Sequence, residues 1–119
     1  MNYVQGFLIA VPKSSKEAYC ELAAKSAAIF EEYGATRTVE SWSDNVPDGK
    51  VTDFKRAVKA TDDEAVVFSW IEWPDKATCD AAAEKMQTDK RWEQVGEMPF
   101  DGKRMIWAGF EPILERKAG

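Results

Sequence analysis

The sequence predicts one α+β domain of 119 residues with the element order β-α-β-β-α-β. Three observations predict this class. Hydrophobic residues recur at helical spacing in two stretches, one after Pro12 and one after Asp75. Four other stretches are rich in β-branched and aromatic residues and are bounded by Pro, Gly or Asp. No repeat, low-complexity tract or flexible linker divides the chain, so residues 1–119 are assigned to one domain.

The first strand and the first helix are the clearest elements. Tyr3–Val11 carries apolar residues on both alternating faces in its second half, which predicts a strand covered on both sides. Pro12 ends it, Ser14 or Ser15 can cap the following helix, and Gly34 is placed to end that helix in the left-handed conformation. The apolar stripe of the helix consists of Tyr19, Leu22, Ala23, Ser26, Phe30 and Tyr33.

The middle of the chain contains two further strands. Thr36–Ser43 alternates and is only weakly hydrophobic, which predicts an edge strand. Asp44–Asp53 is dense in turn-forming residues, above all Pro47-Asp48-Gly49, and a short helical turn is expected over Phe54–Val58. Ala65–Trp73 is strongly β-forming and predicts the third strand.

The last third of the chain predicts a helix and a strand separated by a loosely ordered segment. Asp75 caps the second helix, whose small side chains would let it lie close to a sheet. Lys90–Phe100 is the loosely ordered segment, and Asp101-Gly102 forms a turn. The fourth strand is expected from Arg104 to about Leu114. The narrow apolar stripe of the second helix is Cys79, Ala82, Ala83 and Met86.

This element order has a usual solution, the split βαβ or ferredoxin-like fold. It is an antiparallel four-stranded sheet of order 4-1-3-2 with both helices on one face. The strands, however, carry apolar side chains on both faces. Val67 and Ile71 point to one side of the third strand, and Phe68 and Trp70 point to the other.

The face without helices would therefore expose more apolar surface than the few hundred Å² that soluble monomers tolerate. The simplest cover is a second copy packed sheet against sheet with two-fold symmetry, which predicts a homodimer. The alternative is that Lys90–Phe100 folds across this face.

Composition and charge exclude many function classes. The chain is 45% hydrophobic and 31% charged, with 16 Lys and Arg, 21 Asp and Glu, a formal charge of −5 and no histidine. Catalysis by an imidazole and metal sites with imidazole ligands are therefore excluded. The acidic balance and scattered basic residues predict neither a nucleic-acid nor a membrane partner.

The cysteines and the absence of known motifs exclude further classes of protein. Cys20 and Cys79 form no C-x-x-C pair, and the apolar run Phe7–Val11 is too short for a signal core or a membrane span. We therefore expect a cytoplasmic protein with reduced thiols. No dinucleotide-binding, P-loop or EF-hand motif occurs, so we expect no cofactor and no metal.

Several stretches closely resemble the YbaA-like family of unknown function. They are Val46–Phe54 (VPDGKVTDF), Val66–Trp73 (VVFSWIEW), Met98–Ile106 (MPFDGKRMI) and Gly109–Ile113 (GFEPI). The resemblance spans nearly the whole chain and implies a ferredoxin-like subunit of the dimeric α/β-barrel superfamily. It implies no established activity. Gln5 departs from the family pattern, where the resemblance implies an Asp before the Gly-Phe pair.

Two weak candidate sites follow from the predicted topology. Three loops meet at one end of the sheet and bring together five charged residues that could bind an anionic or polar ligand, namely Asp48, Lys50, Asp101, Lys103 and Arg104. The alternative is that these Asp-Gly-Lys segments are ordinary turns without a ligand, with their charged side chains solvated.

The second candidate is an aromatic pocket. Trp42 and Trp70, with Trp73 and Trp107, fall on predicted strands near the polar residues Glu40, Ser69 and Glu72. A buried Glu in this company would have a raised pKa and could act as a general base. Otherwise these aromatic residues belong to the core and the dimer interface, and the glutamates face water.

The sequence does not decide whether the protein is an enzyme. One hypothesis is a homodimer that binds or transforms a small organic metabolite without a cofactor. The other is a non-enzymatic interaction or stress-accessory protein whose sheet serves only dimerisation. A cavity of roughly 300 Å³ or more, lined by Trp and one buried Glu, would favour the first.

Overall fold

The computed structural model describes residues 2–119, which form a four-stranded antiparallel sheet and four α-helices. The α+β class is thereby confirmed. The sheet order is β2-β3-β1-β4, which is 4-1-3-2 counted from the other edge. The strands are β1 (Tyr3–Pro12), β2 (Arg37–Trp42), β3 (Glu64–Trp73) and β4 (Ile106–Phe110). The helices are α1 (Lys16–Glu32), α2 (Phe54–Ala57), α3 (Lys76–Thr88) and α4 (Arg91–Gln94).

The register of the two central strands assigns each side chain to a face. β1 and β3 pair over ten residues, from Tyr3 opposite Trp73 to Pro12 opposite Glu64. We call the side that carries α1 and α3 the helix face, and the opposite side the open face. The helix face includes Phe7, Ile9, Val11, Val67, Ser69, Ile71 and Trp73. The open face includes Leu8, Ala10, Val66, Phe68, Trp70, Ile106 and Phe110.

The main core lies between the helix face and the two long helices. Ile29 of α1 and Cys79 of α3 pack with Ile71 and Trp73 of β3. Trp73 is only 1% exposed, and its indole nitrogen donates a hydrogen bond of 2.9 Å to the side-chain oxygen of Gln5. The small side chains of α3 allow this close packing, as the sequence predicted.

The three predicted helix boundaries are confirmed, but the side-chain cap expected at the start of α1 is absent. The Asp75 carboxylate accepts a hydrogen bond of 2.7 Å from the Thr78 backbone N–H and caps α3. Gly34 follows α1 with a φ of +112°, the left-handed conformation expected of it. Ser15 occupies the N-cap position of α1, but its side chain makes no capping hydrogen bond, because a 3₁₀ turn over Lys13–Ser15 leads into the helix instead.

The segment that follows α3 packs on the helix face. Trp92 of α4 contacts Phe30, and its indole nitrogen donates to the Tyr33 hydroxyl at 3.1 Å. Phe100 stacks near Tyr19 at a ring distance of 5.9 Å. The alternative in which residues 90–100 fold across the open face is therefore wrong, because the aromatic side chains Trp92 and Phe100 have partners on the other side of the sheet.

The fourth strand is shorter than predicted. Pairing with β1 runs only from Ile106 to Phe110. Pro112 has no backbone N–H to donate to a ladder, so the strand ends before the predicted boundary at Leu114.

The open face is only partly covered. Val58, which follows α2, is 1% exposed and packs against Ala10 and Val66. Phe68 and Phe110 remain 46% and 56% exposed. No helix within residues 2–119 combines the length and the apolar character that crossing a bilayer would require.

Candidate functional site

An apolar cavity of about 370 Å³ lies between the helix face, α1 and residues 92–105. It forms because the segment after α4 crosses above the sheet without filling the space beneath it. Hydrophobic side chains make up most of its wall. They include Phe7, Leu22, Phe30, Met86, Trp92 and Phe100.

The cavity has a cluster of three polar side chains. Tyr19 of α1 donates its hydroxyl to Oε1 of Glu40 at 2.6 Å. Ser69 of β3 lies directly opposite Glu40 of β2 in the sheet register, and it is 3% exposed. We call these residues the Tyr19–Glu40–Ser69 cluster. Antiparallel pairing brings Glu40 and Ser69 together, and the docking of α1 adds Tyr19.

The surroundings of this cluster shift two pKa values. Burial raises the pKa of the Glu40 carboxyl above its ordinary value, and the hydrogen bonds from Tyr19 and Ser69 lower it only in part. The Glu40 carboxyl lines the cavity and is desolvated there, whereas the residue as a whole remains exposed because β2 is an edge strand. Burial, and then the bond to Glu40, raises the pKa of Tyr19 far above 10. Tyr19 therefore remains a neutral hydrogen-bond donor, and Glu40 is the proton acceptor of the cluster.

The structure divides the predicted aromatic pocket between the two faces of the sheet. Trp42 packs into the helix-face core with the Lys16 ammonium 5.4 Å from its ring centre. Trp70 lies on the open face, where its indole nitrogen donates to Oε2 of Glu72 at 3.0 Å. A single pocket containing Trp42, Trp70, Glu40 and Ser69 is therefore wrong, because adjacent strand residues point to opposite faces.

The predicted loop-end cluster is also divided. Arg104 forms a two-pronged ion pair with Glu64, with N–O distances of 2.7 and 2.8 Å, and a further bond of 3.0 Å to Asp101. Its charge is thus already compensated. Side-chain hydrogen bonding to Arg104 lowers the pKa of Glu64 to about 2.

The other members of the predicted loop-end cluster are solvated. Asp48, Lys50 and Lys103 are exposed. Among residues 2–119, no hydrogen bond or ion pair joins the 46–53 loop to the 101–104 turn. The geometry favours the alternative in which these are ordinary turns.

Sequence reasoning identified Glu40 and Ser69 but missed Tyr19, Trp92 and Phe100 as cavity residues. Tyr19 was assigned only to the apolar stripe of α1. A tyrosine on such a stripe needs a partner for its hydroxyl when buried, and this was the available signal. Within residues 2–119, no group of three or more Asp, Glu or Cys side chains is placed to hold a metal ion.

Comparison with known proteins gives a family but no activity. Residues 2–102 match the family model described as a protein of unknown function, DUF1428. The chain is 60% identical over 116 residues to "Uncharacterized protein YbaA" of Escherichia coli strain K12, a match covering 97% of this chain and 99% of that protein. The proteins of the same name from Escherichia coli O157:H7 and Shigella flexneri match equally well.

Proposed function

The chain belongs to the DUF1428 family of proteins of unknown function, and we propose that it binds a small, largely apolar organic metabolite in the helix-face cavity. The observation that carries this proposal is an apolar space of about 370 Å³ with one cluster of hydrogen-bonding groups. Small-molecule sites have this character: apolar walls supply affinity, and a few polar groups set the orientation.

The polar cluster restricts the chemistry of the ligand. Glu40 is the acidic group of the cluster, and its carboxylate form would repel an anionic ligand. A neutral or cationic ligand with a hydroxyl or amine can donate to the Glu40 carboxylate, while its hydrocarbon or aromatic part contacts Phe30, Trp92 and Phe100. This chemistry describes an alcohol, a phenol or an amine of modest size.

The same cluster would support a reaction without a cofactor. The Glu40 carboxylate, with its raised pKa, can accept a proton from an acidic O–H or C–H group of the ligand. When the ligand's donor takes the place of Tyr19 at the Glu40 carboxylate, the Tyr19 hydroxyl is released from its bond to Glu40, and its single hydrogen can be donated to the ligand oxygen on which charge develops. The proton then resides on Glu40 until it is returned to product or solvent.

The proposal includes a homodimer of ferredoxin-like subunits packed through their open faces, the arrangement of a dimeric α/β barrel. Half-exposed Phe54, Phe68 and Phe110 support it. With 150–250 Å² per aromatic side chain, these three leave roughly 300 Å² exposed, in the range of the apolar patches that mark interaction sites.

The test is native mass spectrometry of the protein purified from its own host, because it reports the subunit number and any retained ligand together. We expect twice the subunit mass plus a small molecule. Retained compounds and a panel of neutral phenols, alcohols and amines are then titrated against wild type and Glu40→Gln by thermal shift. Glu17→Gln, on the exposed side of α1, is the matched control.

A compound that stabilises wild type and Glu17→Gln but not Glu40→Gln would support the site. If the purified protein is empty and no compound distinguishes Glu40→Gln from wild type, the cavity proposal is wrong. A dimer without any ligand would instead favour the non-enzymatic interaction protein, whose sheet serves only dimerisation.

A further inference from the structure

The carboxyl-terminal tail, residues 111–119, contains two apolar side chains that contact almost nothing. Ile113 is 94% exposed and Leu114 is 77% exposed. Glu111 and Pro112 separate them from β4, and both lie beyond the end of the sheet pairing. These two adjacent aliphatic side chains are therefore free to contact another apolar surface.

A groove of suitable character lies on the open face. Its volume is about 280 Å³, and its walls include Leu8, Phe54, Phe68, Ile106 and Phe110. Gly6 lies on the same face, and an added Cβ there would approach the Phe110 ring to 3.2 Å. The Phe110 ring therefore leans over the sheet, at the place where the tail leaves it.

The tail does not use this groove within its own chain. After Phe110 the backbone leaves the sheet through Glu111 and Pro112, and neither Ile113 nor Leu114 of the same chain lines the groove. Ile113 and Leu114 consequently stay exposed in the single chain.

The contact area favours the tail of a second copy as the occupant of this groove. A stable interface buries about 800 Å² per partner, whereas the three half-exposed phenylalanines of the open face supply roughly 300 Å². Fully burying one aliphatic side chain removes roughly 60–120 Å² from water at 25 cal/mol per Å². The two tail residues therefore add roughly half as much again to the apolar contact.

We propose that the tail of each copy packs Ile113 and Leu114 into the open-face groove of its partner, so that the two copies exchange tails. This inference depends on the homodimer of the proposed function and does not depend on the ligand cavity.

The decisive experiment is photo-cross-linking from position 113. A benzophenone amino acid replaces Ile113, and equal amounts of ¹⁴N- and ¹⁵N-labelled protein are mixed before irradiation. We expect a product of twice the subunit mass, in which tail peptides are joined to peptides containing Phe54, Phe68 or Ile106 of the other isotope. Cross-links confined to products of a single subunit mass would overturn the exchange, and so would the absence of any cross-link in a dimeric sample.

A second measurement uses the dimer dissociation constant from sedimentation velocity. The double variant Ile113→Ser/Leu114→Ser should weaken the dimer at least tenfold, whereas Arg116→Ser/Lys117→Ser, which alters only polar tail residues, should not. Both pairs are exposed, so neither variant should unfold the subunit. An unchanged dissociation constant in the Ser/Ser variant overturns the tail exchange alone. A wild-type protein that is monomeric at every concentration overturns the proposed dimer as well.

Discussion

The ion pair between Glu64 and Arg104 should make the stability of the subunit depend on acidic pH. Glu64 is 9% exposed and Arg104 is 25% exposed, and both oxygens of Glu64 accept hydrogen bonds from the guanidinium. The perturbation is Glu64→Gln, which keeps the shape of the side chain and removes its charge. Arg104 still reaches Asp101 in this variant.

The free energy that this ion pair contributes follows from the pKa of Glu64. That pKa falls from its ordinary value of 4.5 to about 2 in the folded chain. Each tenfold change in proton affinity is worth about 1.4 kcal/mol, so the full change corresponds to about 3 kcal/mol. We expect about 2 kcal/mol, because Arg104 keeps contact with water and the attraction is partly screened.

The direction in which stability changes with pH follows from the lowered pKa of Glu64. A carboxyl whose folded pKa lies below its unfolded pKa stabilises the fold above the unfolded value, and this stability is lost as pH falls through the folded value. The wild type should therefore lose about 2 kcal/mol more than Glu64→Gln between pH 6 and pH 2, with the change concentrated between pH 4.5 and 2.

The assay is urea denaturation at pH 6, 4.5, 3 and 2, followed by tryptophan fluorescence. Asp62→Asn, on the exposed turn two residues earlier, is the matched control and should follow the wild type. A difference in unfolding free energy between wild type and Glu64→Gln that stays constant across this pH range would refute the reasoning.

Three further predictions concern the core, the open face and a helix cap. Trp73→Ala should lower the unfolding free energy by about 3–5 kcal/mol in urea titrations, because a side chain that is 1% exposed leaves a cavity; a loss under 1 kcal/mol would contradict its core position. Phe68→Asp should dissociate the proposed dimer in sedimentation runs, while Val51→Asp, at a site 92% exposed, should not; equal solution masses for both variants and wild type would argue against the open-face interface. Asp75→Ala should cost about 1 kcal/mol in thermal denaturation, because the Thr78 N–H loses its acceptor; an unchanged melting temperature would show that the cap is dispensable.

Local sequence rules predicted the elements that depend on neighbouring residues. Asp75 and Gly34 bound their helices as expected, because capping and positive φ are properties of single residues and their immediate neighbours. The opposite orientation of Ile71 and Phe68 on β3 was also predicted, because side chains alternate along a strand. The resemblance of the four quoted stretches to the YbaA-like family is confirmed by the comparisons.

The candidate site could be predicted only in part. Glu40 and Ser69 were recognised as polar groups among aromatic residues, but Trp70 was grouped with them although it is next to Ser69 and points to the other face. Arg104 was expected to be free for a ligand, whereas Glu64, 40 residues earlier, compensates its charge.

The sequence by itself determined the order of helices and strands, the faces of the central strands, the helix caps at residues 34 and 75 and the excluded imidazole chemistry. Only the tertiary structure decided that residues 92–100 cross the helix face, that a cavity remains beneath them, and that Tyr19 meets Glu40 there. The reason is physical. Periodicity, alternation and capping act between residues close in the chain, whereas a cavity and a hydrogen bond between distant residues depend on how whole elements pack.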